Sequence, residues 1–180
     1  MEQLNRLRLE CAKNQKRGLH FILASVIIWL GIACIFLSPL PPLTKNLLTF
    51  ICTGFLLPLS LFISRLIRVD FQNKTNPLSK LGIIFSMNQL PYLLIAMWIY
   101  PTIPAKMIMV IAIIFGAHLM PFSWLYHSKV YLGLSIVIPI FALLVGLNFS
   151  PAILAIAMIG VEIIFVGLLI LENRASLRSL

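Results

Sequence analysis

The sequence predicts an all-α fold: a polytopic membrane bundle of six transmembrane helices with the N and C termini both cytoplasmic. Three observations predict it. Of the 180 residues 61% are hydrophobic and the mean hydropathy is +1.03, against roughly 45–50% apolar residues in a soluble domain. The apolar residues fall into six segments, each near the about 20 residues that a helix needs to cross about 30 Å of hydrocarbon. Finally, 12 of the 14 Lys and Arg residues lie on one side of the alternation those segments create, and cytoplasmic loops carry the basic excess.

Each element has its own signal. Residues 1–17 form a basic cytoplasmic segment that places Leu4, Leu7 and Cys11 at helical spacing, which is either a short helix lying on the inner leaflet or a leader that only sets topology. Its charge and the length of the apolar run after it predict a retained signal anchor rather than a cleaved peptide. Span 1 covers residues 18–38 and stops at Pro39, Pro41 and Pro42. Span 2 is read over 46–67, span 3 over 81–100, span 4 over 103–126, span 5 over 130–147 and span 6 over 152–171, with 172–180 a short cytoplasmic tail. The six-helix domain is therefore 18–171. The loops alternate in charge: Arg65, Arg68, Lys74 and Lys80, then Lys129, then Arg174 and Arg178 fall on the side of the N-terminal segment, whereas only Lys45 and Lys106 fall opposite. Trp98, Tyr100, Trp124 and Tyr126 near span ends fit interfacial belts.

The net charge of +9 sits beside hydrophobic spans, so the predicted partners are membrane lipids, with anionic lipid at the basic N-terminal segment and no nucleic acid. Cys11, Cys34 and Cys52 have no paired spacing, and no disulfide framework, metal site or cofactor is predicted from them. The sequon Asn73-Lys74-Thr75 falls in a cytoplasmic loop and carries no meaning there.

The residues that stand out are polar ones inside spans. Glu162 lies near the middle of span 6, the only acid inside any span. Burying a charge there costs about 2.5–3.5 kcal/mol on insertion scales, so the side chain should face protein or water, neutral unless a cation is near. It reads either as a proton, cation or ligand site or as a neutral acid bonded across a helix interface. Asn88 and Gln89 lie at comparable depth in span 3 and are the expected partners of Glu162. His118 in span 4 would form a proton relay with Glu162, or act as a hydrogen-bonded packing residue. Pro58, Pro91, Pro121 and Pro139 place a helix kink in four of the six spans. Ala157, Gly160 and Gly167 share one stripe of span 6, opposite Glu162; that predicts either a central position for this helix or a contact between copies in a homo-oligomer.

Residues Lys16 to Ser25 with Trp29, and His118 to Tyr126 with Ser128, resemble a bacterial family of small multispanning membrane proteins of unknown function. The resemblance implies the bacterial inner membrane and no activity. No nucleophile elbow, zinc, phosphate-loop or dinucleotide motif accompanies it. Three readings of function follow: a small-solute or ion transporter whose midplane cavity is lined by Glu162, Asn88, Gln89 and His118; a non-transporting membrane protein that binds lipid or modulates a partner; and an intramembrane lipid-modifying enzyme using His118 and Glu162 as acid and base.

Overall fold

The computed structural model describes residues 2–71 and 76–178, so the sequon at 73–75 lies outside the described residues. The described chain is an all-α bundle. Helix α1 (Glu2–Asn14) lies ahead of the first span, and a tight turn over Lys16–Gly18 reverses the chain into α2 (Leu19–Leu37). That turn needs left-handed backbone at Lys16, Arg17 and Gly18 (φ 45°, 51° and 70°). At Gly18 a Cβ would also come within 3.0 Å of the Tyr126 ring and the Tyr131 hydroxyl, so glycine is required there on two counts.

Five helical stretches are long and apolar enough to cross a membrane: Lys16–Leu37, Leu78–Thr102, Pro104–Leu125, Lys129–Asn148 and Pro151–Ser176. A sixth is the pair α3 (Pro42–Gly54) and α4 (Leu56–Leu66), bent by 41°. Span 3 is likewise two helices, α5 (Leu78–Met87) and α6 (Gln89–Thr102), and span 4 is α7 (Met107–His118) and α8 (Met120–Leu125). The breaks have one cause. Pro58, Pro91 and Pro121 have no N–H for the carbonyls of Gly54, Met87 and Ala117, the positions one turn earlier where each helix gives way. Pro139 behaves differently: α9 (Lys129–Asn148) runs unbroken through it. Its ring is pressed against Gly116 of α7, where a Cβ would lie 2.6 Å from Pro139 Cδ. Pro139 thus takes part in the close packing of α9 on α7.

The centre of the bundle is formed by α2, α7, α9 and α10 (Pro151–Arg178), with α2 packed along α10 and α7 along α9. Ile22, Ile32, Ile108, Leu154, Met158, Phe165 and Leu169 fill it. Around this centre α4 leans on α2, α6 on α7, and α5 on α8 and α1. Span 3 is peripheral: 11% of its most apolar window is buried, against 50% for span 4.

The ends of the bundle are closed by polar side chains that satisfy helix-terminal carbonyls. The two lysines of the less basic end do this directly, Lys45 donating to Phe36 O (3.0 Å) and Lys106 to Gly146 O (2.7 Å). At the basic end α1 folds back on the bundle with Cys11 and Ala12 buried. Arg8 donates to Trp124 O (2.8 Å) and stacks over that indole, and Lys16 donates to Ile67 O (2.8 Å). Residues 172–178, read from sequence as a polar tail, continue α10 because nothing there breaks the helix and two residues are held. Glu172 accepts from Ser128 Oγ (2.5 Å) and the Lys129 N–H (3.0 Å), and Asn173 accepts from Arg17 (2.7 Å).

The stripe of Ala157, Gly160 and Gly167 does not pack inside the bundle: Gly160 and Gly167 are exposed, with open space where a Cβ would be. Large residues of α10, Leu154, Met158 and Phe165, do the packing instead. Tyr126 is no belt residue; it is fully buried and donates to Gln15 Oε1 at 2.7 Å. His20, near the start of α2, is buried against Phe21 and Phe71.

Candidate functional site

Between the broken spans 2, 3 and 4 and α2 lies a cavity of about 540 Å³, lined by residues at all three breaks. From α2 come Ile22, Ser25, Trp29 and Ile32, spaced at three and four residues so that one helical face forms the back wall. Thr53, Gly54 and Leu57 line it from the α3–α4 break, Ser86, Met87 and Gln89 from the α5–α6 break, and Phe115, His118 and Phe122 from the α7–α8 break. Tyr126, Tyr131 and Gln15 contribute at the basic end. At its side, Leu57, Ile83, Met87 and Leu90 belong both to the wall and to the exposed apolar surface. The cavity therefore opens sideways, between α4 on one flank and α5 and α6 on the other, toward hydrocarbon.

The electrostatics are unusual for a chain of net charge +9. Among the described residues lining the cavity there is no Lys, Arg, Asp or Glu. The donors on its wall are largely spent inside the protein. Thr53 donates to Phe50 O (2.8 Å), Ser86 to Gly82 O (3.0 Å), Tyr126 to Gln15 Oε1 (2.7 Å) and Tyr131 to Arg17 O (3.0 Å). His118 places Nδ1 2.6 Å from Phe115 O; a carbonyl only accepts, so Nδ1 carries the ring hydrogen and Nε2 is left as an acceptor.

Glu162 sits just behind this wall. It is 0% exposed, its carboxyl is in contact with Ser25 Oγ, and Oε1 has no partner. Ser25 also reaches Ile22 O at 2.8 Å. A hydroxyl has one hydrogen to give. Both contacts of Ser25 are accommodated when the carboxyl carries a proton and donates it to Ser25 Oγ, while Ser25 donates to Ile22 O; Oε1 stays without a partner.

The four predicted polar residues are thus only partly brought together. Gln89 and His118 line the cavity; Glu162 is separated from it by Ser25; and Asn88, exposed at the α5–α6 break, lines nothing. Neither amide is the partner of Glu162: its carboxyl is held by Ser25, Gln89 lies on the cavity wall, and Asn88, about 100° away on the helix, faces outward. His118 and Glu162 are not bonded to each other, each having a different partner. Sequence reading missed Ser25, Trp29, Tyr126 and Tyr131, which looked like span filler or interface residues; spacing of Ser25 and Trp29 on one face of span 1 was the available signal. Among the described residues no three His, Cys, Asp or Glu gather as metal ligands.

No curated protein and no solved structure matches this chain. Residues 4–172 match the model of a family of unknown function, DUF7010, and this multi-pass membrane chain with its internal cavity belongs to that family.

Proposed function

We propose that this protein binds an amphiphile drawn from the bilayer, holding its apolar part in the cavity beside Trp29. One observation carries the reading: a cavity of about 540 Å³, walled mostly by apolar and aromatic side chains, whose rim residues Leu57, Ile83, Met87 and Leu90 are also lipid-facing surface. Ligand pockets are typically concave, apolar and marked by few polar groups, and a mouth inside hydrocarbon admits molecules that already reside there. An ion pathway is the weaker alternative, since Asn88 points outward and Glu162 lies behind Ser25. The breaks at Phe55, Asn88 and Leu119 supply hinges around the site, which favours a carrier over a static receptor. In this reading the protein lies in a bacterial inner membrane with its basic end in the cytoplasm, and exposed Arg6, Lys13, Arg65 and Arg68 meet anionic headgroups.

The test is photocrosslinking in vesicles containing phosphatidylcholine with a diazirine near the middle of one acyl chain. Ile28, Trp29 and Ile32 are 7%, 3% and 1% exposed, so lipid around an intact bundle cannot touch them. The expected adducts fall on the peptide carrying these residues and disappear in Ser86→Trp, which fills the cavity. Adducts confined to outward positions such as Ile163 and Ile164 would contradict the reading.

A further inference from the structure

We infer that the polar end of the cavity is an amine site, in which Ser25 and Glu162 receive the head of a lipophilic primary or secondary amine. The inference rests on the amphiphile reading above and names the ligand class.

Three observations point the same way. First, the wall offers acceptors. The hydroxyl hydrogens of Thr53, Ser86, Tyr126 and Tyr131 are given to groups inside the protein, and His118 Nε2 remains an acceptor. The carbonyls of Gly54 and Met87 have lost their helical donors to Pro58 and Pro91, and both residues lie on the wall. The remaining donors are the amides of Gln15 and Gln89, the Trp29 indole and the Ser79 hydroxyl. Second, no basic side chain lines the cavity among the described residues, so a cation meets no repulsion there, and Trp29, Phe115 and Phe122 are aromatic residues of its wall. Third, a carboxyl with an unpartnered, fully buried oxygen stands one hydroxyl away from the wall.

Ser25 has two satisfied arrangements, and they differ by one proton. With the cavity empty, the Glu162 carboxyl donates to Ser25 Oγ, which donates to Ile22 O. An amine crosses hydrocarbon as the neutral free base. On reaching Ser25 its nitrogen lone pair takes the hydroxyl hydrogen as Ser25 takes the carboxyl proton, so the N–H bond formed is matched by the Glu162 O–H bond broken. The product is an ammonium donating to Ser25 Oγ, which now donates to the Glu162 carboxylate. Ile22 O keeps its helical N–H partner. No net charge enters the membrane in this exchange, so the cost of an isolated buried ion is avoided. An alcohol of the same chain can make the hydrogen bond but not the ion pair, and a carboxylic acid brings a second acid to the first.

The test uses Trp98→Phe/Trp124→Phe protein, in which Trp29 is the single remaining tryptophan, titrated in detergent with three nitroxide-labelled C16 chains that differ only in head: amine, alcohol and carboxylic acid. The expected result is quenching of Trp29 by all three, with the amine binding about tenfold or more tightly than the alcohol, as suits a charge-assisted bond. Glu162→Gln and Ser25→Ala should lower the amine to the alcohol's affinity and leave the alcohol unchanged. Equal affinity of the three heads in the unsubstituted site would overturn the amine site while keeping the cavity reading. Absence of quenching by any of them would overturn the cavity reading itself. The head-group series needs neither site variant, so a variant that fails to fold leaves the decision intact.

Discussion

Arg17, read from sequence only as part of a basic segment that lies on the inner leaflet or sets topology, is a structural residue. It is 6% exposed, lies 3.6 Å from Glu172 and donates to Asn173 at 2.7 Å, while its own carbonyl accepts from Tyr131 at 3.0 Å. These contacts tie the turn before α2 to the ends of α9 and α10. Glu172→Ala would leave the guanidinium without its counter-charge, and because the carboxyl is partly exposed the expected loss is about 2 kcal/mol, below the usual cost of breaking a fully buried pair. Melting in detergent measures it; no change in midpoint would show the knot to be dispensable. Cys11 offers a second check on the same end, outside the spans. Burial pushes its thiol up from 9.0 to about 11. Between those values the unfolded chain has lost the thiol proton that the folded chain retains, so stability present below pH 9 declines as pH rises toward 11. The difference between the native protein and Cys11→Ala should therefore shrink by on the order of 1 kcal/mol across that window. A constant difference would mean that α1 does not bury the thiol in solution.

At the scale of elements, glycines separate packing faces from free ones. A Cβ at Gly116 would lie 2.6 Å from Pro139 Cδ and 2.7 Å from Ile138 Cγ2, both in well-packed positions, whereas Gly160 and Gly167 have nothing within 4 Å. Gly116→Ala should lower stability by about 1–3 kcal/mol through overpacking, and Gly160→Ala should be neutral or slightly stabilising because alanine favours helix. The reverse order would mean that the α7–α9 contact and the outward face of α10 are misassigned. These same positions show what sequence could and could not reveal. Pro58, Pro91 and Pro121 were legible as breaks because a missing N–H is a local fact. The docking of the Pro139 ring against Gly116 was not, because it depends on a residue 23 positions away. Which face of α10 packs within the bundle is a related case: glycine permits close approach but does not cause it, and α10 turns its bulky side inward and its Gly160–Gly167 face outward.

For the whole molecule, hydropathy and the distribution of Lys and Arg made the bundle legible, because in hydrocarbon every span must satisfy its own backbone. The cavity was legible only in part: Gln89 and His118, expected beside a midplane cavity, do line it, but it is assembled from the broken spans 2, 3 and 4 together, and its back wall is Ser25 and Trp29 of a fourth span. Orientation has a direct test: after replacement of Cys11, Cys34 and Cys52, a cysteine at exposed Leu43 should react with an impermeant maleimide in intact cells while one at exposed Glu2 should react only after lysis. The opposite pattern would invert the topology.

The central claim, that the cavity communicates with the bilayer, is tested most directly by Trp29 emission in vesicles of brominated phosphatidylcholine, using the protein in which Trp98 and Trp124 are phenylalanine. Trp29 is 3% exposed and faces the cavity. Acyl chains entering between α4 and α5 should quench it relative to ordinary lipid, and in Ser86→Trp, once the signal of the Ser86→Trp/Trp29→Phe blank is subtracted, that quenching of Trp29 should be lost. Emission from Trp29 that is identical in brominated and ordinary lipid would mean that the cavity is sealed from the membrane, and the account would fail.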